Sequence, residues 1–301
     1  MKHLLTVEQL SAAELAEIFK LAKTLKANRG KPTKELPLAG QTWGLIFSKA
    51  STRTRVSFEV GIRELGGTSL YLSSSELQLG RGETVADTAR ALSRYLHGVT
   101  IRTLAQKDVE DFAQFGSIPV VNALTDDEHP CQIVADLFTM TEKLGANLAG
   151  KKVAFVGDGA CNVCNSWLFG AARMGIELWV ASPPQFQPAP SLVKRSGGNV
   201  HVTADIQEAA RNADVLYTDV WVSMGKETEA GERRKILAPY QINPSVVAVA
   251  KSGALVMHCL PAYMGKEITA DVFEAHSQTI FDQAENRLHA QKAILTLLVR
   301  G

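Results

Sequence analysis

Apolar residues recur along the chain with two alternating periods. Leu15, Ile18, Phe19, Ala22 and Leu25 follow helical spacing, and Ser11 with Glu14 forms a capping box ahead of them, predicting a helix that Lys31-Pro32 ends. Thr42 to Phe47 reads as a buried strand, followed by a helical run through Val56, Phe58 and Leu65 that stops at Gly66-Gly67. The alternation continues with strand Ser69 to Leu72, helix Val85 to Leu96, strand Val99 to Ile101, helix Val109 to Phe115 and strand Ile118 to Val121. A helix then starts at Pro130, runs through Ile133, Val134, Leu137 and Phe138 to Gly145, and is expected to bridge two domains. From Lys152 the pattern restarts: strand Val153 to Val156, helix Asn162 to Met174, then strands Glu177 to Ala181, Asn199 to Val202, Val215 to Thr218 and Ala254 to Met257. Asp282 with Glu285 marks a last helix whose stripe is Ala284, Leu288, Ile294 and Leu298, expected to pack back on the first domain. Strands that alternate with helices imply an α/β protein with two doubly wound parallel-sheet domains linked by helices.

Length and charge narrow the picture. The 301 residues suit two domains, and 46% hydrophobic with 21% charged residues excludes disordered and fibrous designs. With 32 Lys and Arg against 31 Asp and Glu, and no basic tail, nucleic acid is not expected as a partner. Apolar runs such as Val246 to Ala250 are strand-sized, too short for a membrane span, and no secretory segment opens the chain, so a cytoplasmic location is expected. Cys131, Cys161, Cys164 and Cys259 are too few and scattered for a disulfide framework and are read as reduced thiols.

Ligands of doubly wound sheets bind beyond the carboxyl ends of strands, so the strand-to-helix turns carry the candidate chemistry. The richest is Ser48-Lys49-Ala50-Ser51-Thr52-Arg53-Thr54-Arg55, where hydroxyls, guanidiniums and free helix N–H groups suit a phosphate dianion; it lacks the Gly-rich phosphate loop. His129-Pro130-Cys131-Gln132 puts an imidazole, a thiol and an amide at the start of the bridging helix. Gly157-Asp158-Gly159-Ala160-Cys161-Asn162 partly matches a dinucleotide fingerprint, but Asn162 replaces the third glycine and no acid ends the next strand, which disfavours NAD. Cys161 and Cys164 form a C-x-x-C pair with no second pair for a zinc site, and are expected to be packing residues. Asp219 to Gly225 and Met257 to Pro261 close two further strands with a carboxylate, hydroxyl and thiol.

In this order the motifs resemble the aspartate/ornithine carbamoyltransferase family over nearly the whole chain. Ser51-Thr52-Arg53-Thr54-Arg55 is similar to its phosphate signature and His129-Pro130-Cys131-Gln132 to its carbamoyl signature, while Asp219-x-x-x-Ser223-Met224-Gly225 and His258-Cys259-Leu260-Pro261 are similar to its ornithine branch. The resemblance implies transfer of a carbamoyl group from carbamoyl phosphate to the side-chain amine of L-ornithine, giving citrulline and phosphate without metal or cofactor. It implies a carbamoyl-phosphate domain over 1–129, with 285–301 returning to it, and an ornithine domain over 130–284. Carbamoyl phosphate would meet Ser51, Thr52, Arg53, Thr54, Arg102, His129, Gln132, Cys259, Leu260 and Arg287, with Gln78 supplied by a neighbouring subunit of a homotrimer. Ornithine would meet Asn162, Asp219, Ser223 and Met224, and Arg102, His129, Cys259 and Asp219 would carry the chemistry. One departure is Cys161, where the ornithine branch often has Asn. The reaction serves either arginine synthesis or citrulline breakdown.

Three rival readings follow from the same residues. A sister enzyme acting on putrescine, N-acetylornithine or aspartate would share the phosphate half and differ at Asn162, Asp219 and Ser223. A non-catalytic anion-binding module would have no chemical reason to keep Arg53, Arg102, His129, Gln132, Asp219 and Cys259 together. A nicotinamide oxidoreductase would show cofactor binding by absorbance.

Overall fold

The computed structural model describes residues 1–73, 82–222 and 230–300. Gln78, Ser223 and Met224 lie outside the described residues. The chain divides into two compact units, Met1–Phe138 with Asn286–Gly301, and Thr139–Glu285.

The first unit contains α1 (Ala12–Ala27), β1 (Thr42–Phe47), α2 (Thr52–Glu64), β2 (Thr68–Ser73), α3 (Val85–Leu92), β3 (Gly98–Arg102), α4 (Gln106–Phe115), β4 (Val120–Leu124) and the opening turns of α5 (Pro130–Leu144). Its sheet is parallel throughout, in the order β2-β1-β3-β4. Strand β1 is buried from Trp43 to Phe47, because helices on both faces leave a parallel strand no solvated side. Ile46, Val99, Ile101, Val109 and Phe112 form one core between strands and α4. Leu4 pairs beside Val121, donating its N–H to the Val120 carbonyl at 2.8 Å, which covers the β4 edge.

The second unit continues through α5 to β5 (Lys152–Val156), α6 (Asn162–Met174), β6 (Glu177–Ala181), a 3-10 turn (Pro184–Phe186), α7 (Pro190–Ser196), β7 (Asn199–Thr203), α8 (Ile206–Ala210), β8 (Val215–Thr218), α9 (Ala230–Leu237), α10 (Pro244–Val249), β9 (Leu255–His258) and α11 (Ala270–Arg300), whose last turns belong to the first unit. Its parallel sheet runs β7-β6-β5-β8-β9. In each unit the strand order reverses once, between β1 and β3 and between β5 and β8, and that reversal opens a crevice at the carboxyl ends of the two strands.

Several elements differ from the pattern-based expectation. Helix α1 stops at Ala27, where the Asn28 N–H turns back to the Thr24 and Lys26 carbonyls, before Lys31-Pro32 is reached. Helices α7 to α10 were not predicted. The strand-sized run at Val246 is helical because the Asn243 side chain accepts from the Ser245 and Val246 N–H groups and Pro244 pre-sets the first turn. Helix α11 begins at Ala270, not at Asp282: the Asp282 carboxylate accepts from Lys143 at 2.6 Å and Gln278 at 2.7 Å, a solvent-accessible mid-helix ion pair rather than a cap.

Candidate functional site

In the first unit, β1 delivers the chain to Ser51, whose extended backbone turns into α2. Ser51 makes no side-chain cap and the first turn of α2 holds no acidic residue, so the positive end of the helix stays available to an external anion. Beside it ends β3, where the register against β4 shifts between Ile101 and Arg102. The buried Arg102 guanidinium then donates from Nη1 to Ser51 Oγ at 3.2 Å and Thr54 Oγ1 at 3.4 Å. Arg287 arrives from α11, also buried, and donates from Nη2 to the same Thr54 hydroxyl at 3.1 Å and from Nη1 to Gln132 Oε1 at 2.5 Å. Gln132 donates in turn to Asp136 at 2.7 Å, so its amide is held at both ends.

His129 stands at the head of α5, its carbonyl accepting from the Gln132 and Ile133 N–H groups. Burial, reinforced by Arg287, Arg102 and Arg53, holds its pKa well below 6.5, so the ring is a neutral donor among guanidiniums. The structure thus brings together Ser51, Thr52, Arg53, Thr54, Arg102, His129, Gln132 and Arg287. Three cations around a neutral imidazole repel one another and suit a dianion. Cys131, inside the same motif, instead donates to the Asn122 carbonyl at 3.4 Å and is pushed up to about 12 by burial, which makes it unreactive.

The second crevice is built on the turns after β5, β8 and β9. Gly159 has no room for a side chain: a Cβ there would stand 2.8 Å from Val180 Cγ1 and 3.0 Å from the Phe186 carbonyl. Cys161 caps α6, its sulfur accepting from the Cys164 N–H at 3.4 Å, and Asn162 is the first residue of that helix. Burial, first, drives both thiols well above 9.0, which fits packing rather than redox chemistry. Cys161, the one departure from the ornithine-branch pattern, thus supplies the helix cap itself.

Asp219 follows β8 and accepts on one oxygen from the Val220 N–H at 2.7 Å and the Cys259 thiol at 2.8 Å. Burial raises its pKa from 3.8, opposed by the neighbouring His258 and by the Cys259 contact. Cys259 and Leu260 follow β9 on a tightly held turn. Leu260 has φ 58°, a left-handed conformation that a γ-branched residue rarely adopts, and the Leu260-Pro261 peptide is cis. The Leu260 N–H donates to His258 Nδ1 at 2.8 Å, which leaves the proton on Nε2, 3.1 Å from the buried Glu267 carboxylate. Glu267 also accepts from the Tyr263 N–H at 2.6 Å. Asn162, Asp219, Cys259 and Leu260 are thus all carried on strand ends or helix starts of one sheet edge.

Three supporting residues escaped the sequence reading, Asp136, Arg233 and Glu267, and Asp158 figures there only as part of the turn from Gly157 to Asn162. Asp136 had a local signal, standing four residues after Gln132 on the same helix. Arg233 pairs with Asp158, 75 residues away, and Glu267 lies on an irregular segment, so neither leaves a periodic trace. Among the described residues, no three His, Cys, Asp or Glu side chains group as metal ligands, and no helix is long and apolar enough to cross a membrane.

Comparison with known proteins bears on both crevices. Residues 2–142 match the carbamoyl-P binding domain of the aspartate/ornithine carbamoyltransferase family, and residues 149–298 match its Asp/Orn binding domain. The chain is 51% identical to an ornithine carbamoyltransferase of Akkermansia muciniphila, covering 99% of this chain and 98% of that protein. It is 50% identical to one of Methanoculleus marisnigri, covering 100% and 97%. Among solved structures, ornithine carbamoyltransferase from Pyrococcus furiosus superposes with a TM-score of 0.92 at 46% identity, covering 100% of this chain and 97% of that one. An anabolic ornithine carbamoyltransferase from Campylobacter jejuni gives a TM-score of 0.92 at 40% identity, covering 99% of each.

Proposed function

Since this chain belongs to the aspartate/ornithine carbamoyltransferase family and moves a carbamoyl group from carbamoyl phosphate to the side-chain amine of L-ornithine, we propose how its residues divide that work. The observation that carries the reading is the Arg102–Thr54–Arg287–Gln132 network at the open start of α2. The phosphate of carbamoyl phosphate sits on the N–H groups and hydroxyls of Ser51, Thr52, Arg53 and Thr54, with Arg102 and Arg287 as counter-charges. Gln78 from a neighbouring subunit completes this half. Carbonyl oxygen gains negative charge as the amine attacks, and Thr54, Arg102 and the neutral His129 donate to it. Because His129 carries no charge of its own, it stabilises that oxygen without adding to the repulsion among the arginines.

Gln132, with the Cys259 and Leu260 carbonyls, holds the carbamoyl NH2. Asn162, Asp219, Ser223 and the Met224 backbone hold the α-amino and α-carboxylate groups of ornithine. The attacking amine must be neutral, and deprotonating an ammonium of pKa about 10.4 costs about 3 kcal/mol at pH 8, so turnover rises toward alkaline pH. The amine nitrogen bonds to the carbonyl carbon, the carbon–oxygen bond to phosphate breaks, and the departing phosphate takes the amine proton. Cys259, its own proton directed at Asp219, orients the amine through a sulfur lone pair.

The protein works as a homotrimer in the cytoplasm and in the direction of arginine synthesis. Support comes from four free thiols, from exposed Val56 and Leu70 on α2 and the sheet-edge strand β2, and from the anabolic Campylobacter jejuni relative. Light scattering should return about three times the 32.6 kDa chain mass. Incubation with carbamoyl phosphate and, separately, ornithine, putrescine, N-acetylornithine and aspartate tests the acceptor half. Ornithine alone should yield carbamoylated product and phosphate, and a better rate with another amine would overturn the assignment of Asn162 and Asp219.

A further inference from the structure

Arg233 lies on α9, outside every motif that the family signature supplies, yet it is 5% exposed. Its guanidinium touches three strand-end segments at once. Nη2 donates to the Asp158 carboxylate in the turn after β5, and Nε donates to the Trp221 carbonyl in the turn after β8 at 3.1 Å. Its face lies 4.3 Å from the Phe186 ring centroid in the 3-10 turn after β6. Asp158 is equally buried and also accepts from the Ala160 N–H at 3.0 Å, so the pair is anchored in the turn that leads into Asn162. Trp221 stands two residues after Asp219. Its indole edge meets Gly157, where a Cβ would lie 3.7 Å from Cδ1.

We propose that Arg233 is a positioning residue for the amino-acid substrate: it fixes the spacing between the turn bearing Asn162 and the turn bearing Asp219, and so sets the affinity for the α-amino and α-carboxylate groups. The proposal rests on the assignment of Asn162 and Asp219 to those groups. A planar fork suits this task. One guanidinium reaches a carboxylate, a carbonyl and an aromatic face simultaneously, which an ammonium does not. Burial of the pair with its hydrogen bonds makes the distance between the turns stiff, because stretching either contact weakens the pairing of a buried charge. The described contacts of Arg233 and Asp158 all lie within the second unit, at Trp221, Phe186 and Ala160, so carbamoyl phosphate recognition at the start of α2 is expected to be indifferent to the pair.

The test compares Arg233→Met, Arg233→Lys and Asp158→Asn with the parent protein. Steady-state kinetics give KM for each substrate, and calorimetric titration of L-norvaline in the presence of carbamoyl phosphate reads α-group binding without the reacting amine. Misplacing one recognition group by about 1 Å can lower a rate about 100-fold, so Arg233→Met is expected to raise the ornithine KM at least about tenfold. Norvaline affinity should fall by a similar factor, with the carbamoyl phosphate KM within about twofold of the parent value. Arg233→Lys keeps the charge and loses the fork. It is expected to give about a threefold rise and to decide the matter if Arg233→Met is not recovered folded. Ornithine and norvaline values unchanged in a folded variant, or a parallel rise in both substrates' KM, would overturn the proposal. Asn162→Ala runs alongside: if it leaves norvaline binding intact, the assignment of the half-site itself fails, whereas an effect there without one at Arg233 removes only the positioning role.

Discussion

Arg287→Met should separate function from stability at one residue. The guanidinium is 5% exposed and donates to two buried acceptors, Thr54 Oγ1 at 3.1 Å and Gln132 Oε1 at 2.5 Å. A hydrogen bond from a charged donor contributes about 1.5–3 kcal/mol, so losing both would ordinarily destabilise the fold. Against that stands repulsion between Arg287 and Arg102, which converge on the same Thr54 hydroxyl, since two unit charges about 4 Å apart interact by about 4 kcal/mol at the effective dielectric of protein sites. The opposing terms are similar in size, so the unfolding free energy of Arg287→Met should stay within about 1–2 kcal/mol of the parent. Binding has no such offset. With Arg287 as the proposed counter-charge to the phosphate, its loss removes a charged contact worth about 1.5–3 kcal/mol, and at about 1.4 kcal/mol per decade kcat/KM should fall roughly 10- to 100-fold. Urea unfolding and steady-state kinetics with carbamoyl phosphate varied at saturating ornithine measure the two sides, with Arg287→Lys expected between. A variant destabilised by more than about 3 kcal/mol that keeps its carbamoyl phosphate KM within threefold would refute the reasoning.

Two further predictions concern titration and thiols. His129 is held neutral in the fold, its pKa below the 6.5 of the unfolded chain, so its stabilisation is complete above pH 6.5 and is lost as pH falls, by about 1.4 kcal/mol per unit until the folded-state pKa is reached. Urea midpoints of the parent and His129→Gln between pH 7.5 and 5 should therefore converge on acidification, and equal acid slopes would show that His129 is not the group responsible. Cys131, Cys161 and Cys164 are buried with raised pKa values while Cys259 is half-buried beside Asp219, so iodoacetamide on the native protein should label Cys259 and spare the other three. Mass spectrometry of the digest reads the site directly, and labelling at Cys131 would contradict the packing described for it.

Strand positions were legible because a parallel sheet covered on both faces demands short apolar runs, and β1, β6 and β8 fall where the pattern put them. Short helices such as α7, α8 and α10 were not, since five to seven residues give less than two turns of periodicity and their caps, Asp205 and Asn243, read equally well as loop residues. The start of α11 misled for the opposite reason: Asp282 and Glu285 imitate a cap inside a helix of 31 residues. Most of the side chains proposed to meet ligand stand in local motifs at strand ends and helix starts, whereas Arg287 lies inside α11 and leaves no local motif. Those that hold them were not legible. Glu267 reaches His258 across an irregular segment, and Arg233 reaches Asp158 across 75 residues, contacts that only tertiary folding creates.

Two half-sites divide the reaction, carbamoyl phosphate held by the first unit and the amine presented by the second. Equilibrium binding of carbamoyl phosphate to Cys259→Ala, paired with its rate of citrulline formation, tests that division most directly. Carbamoyl phosphate should bind within about twofold of the parent while turnover falls at least about 100-fold, the scale of a lost positioning contact at the reacting centre. Loss of carbamoyl phosphate binding together with turnover would contradict it, and so would full turnover without the thiol.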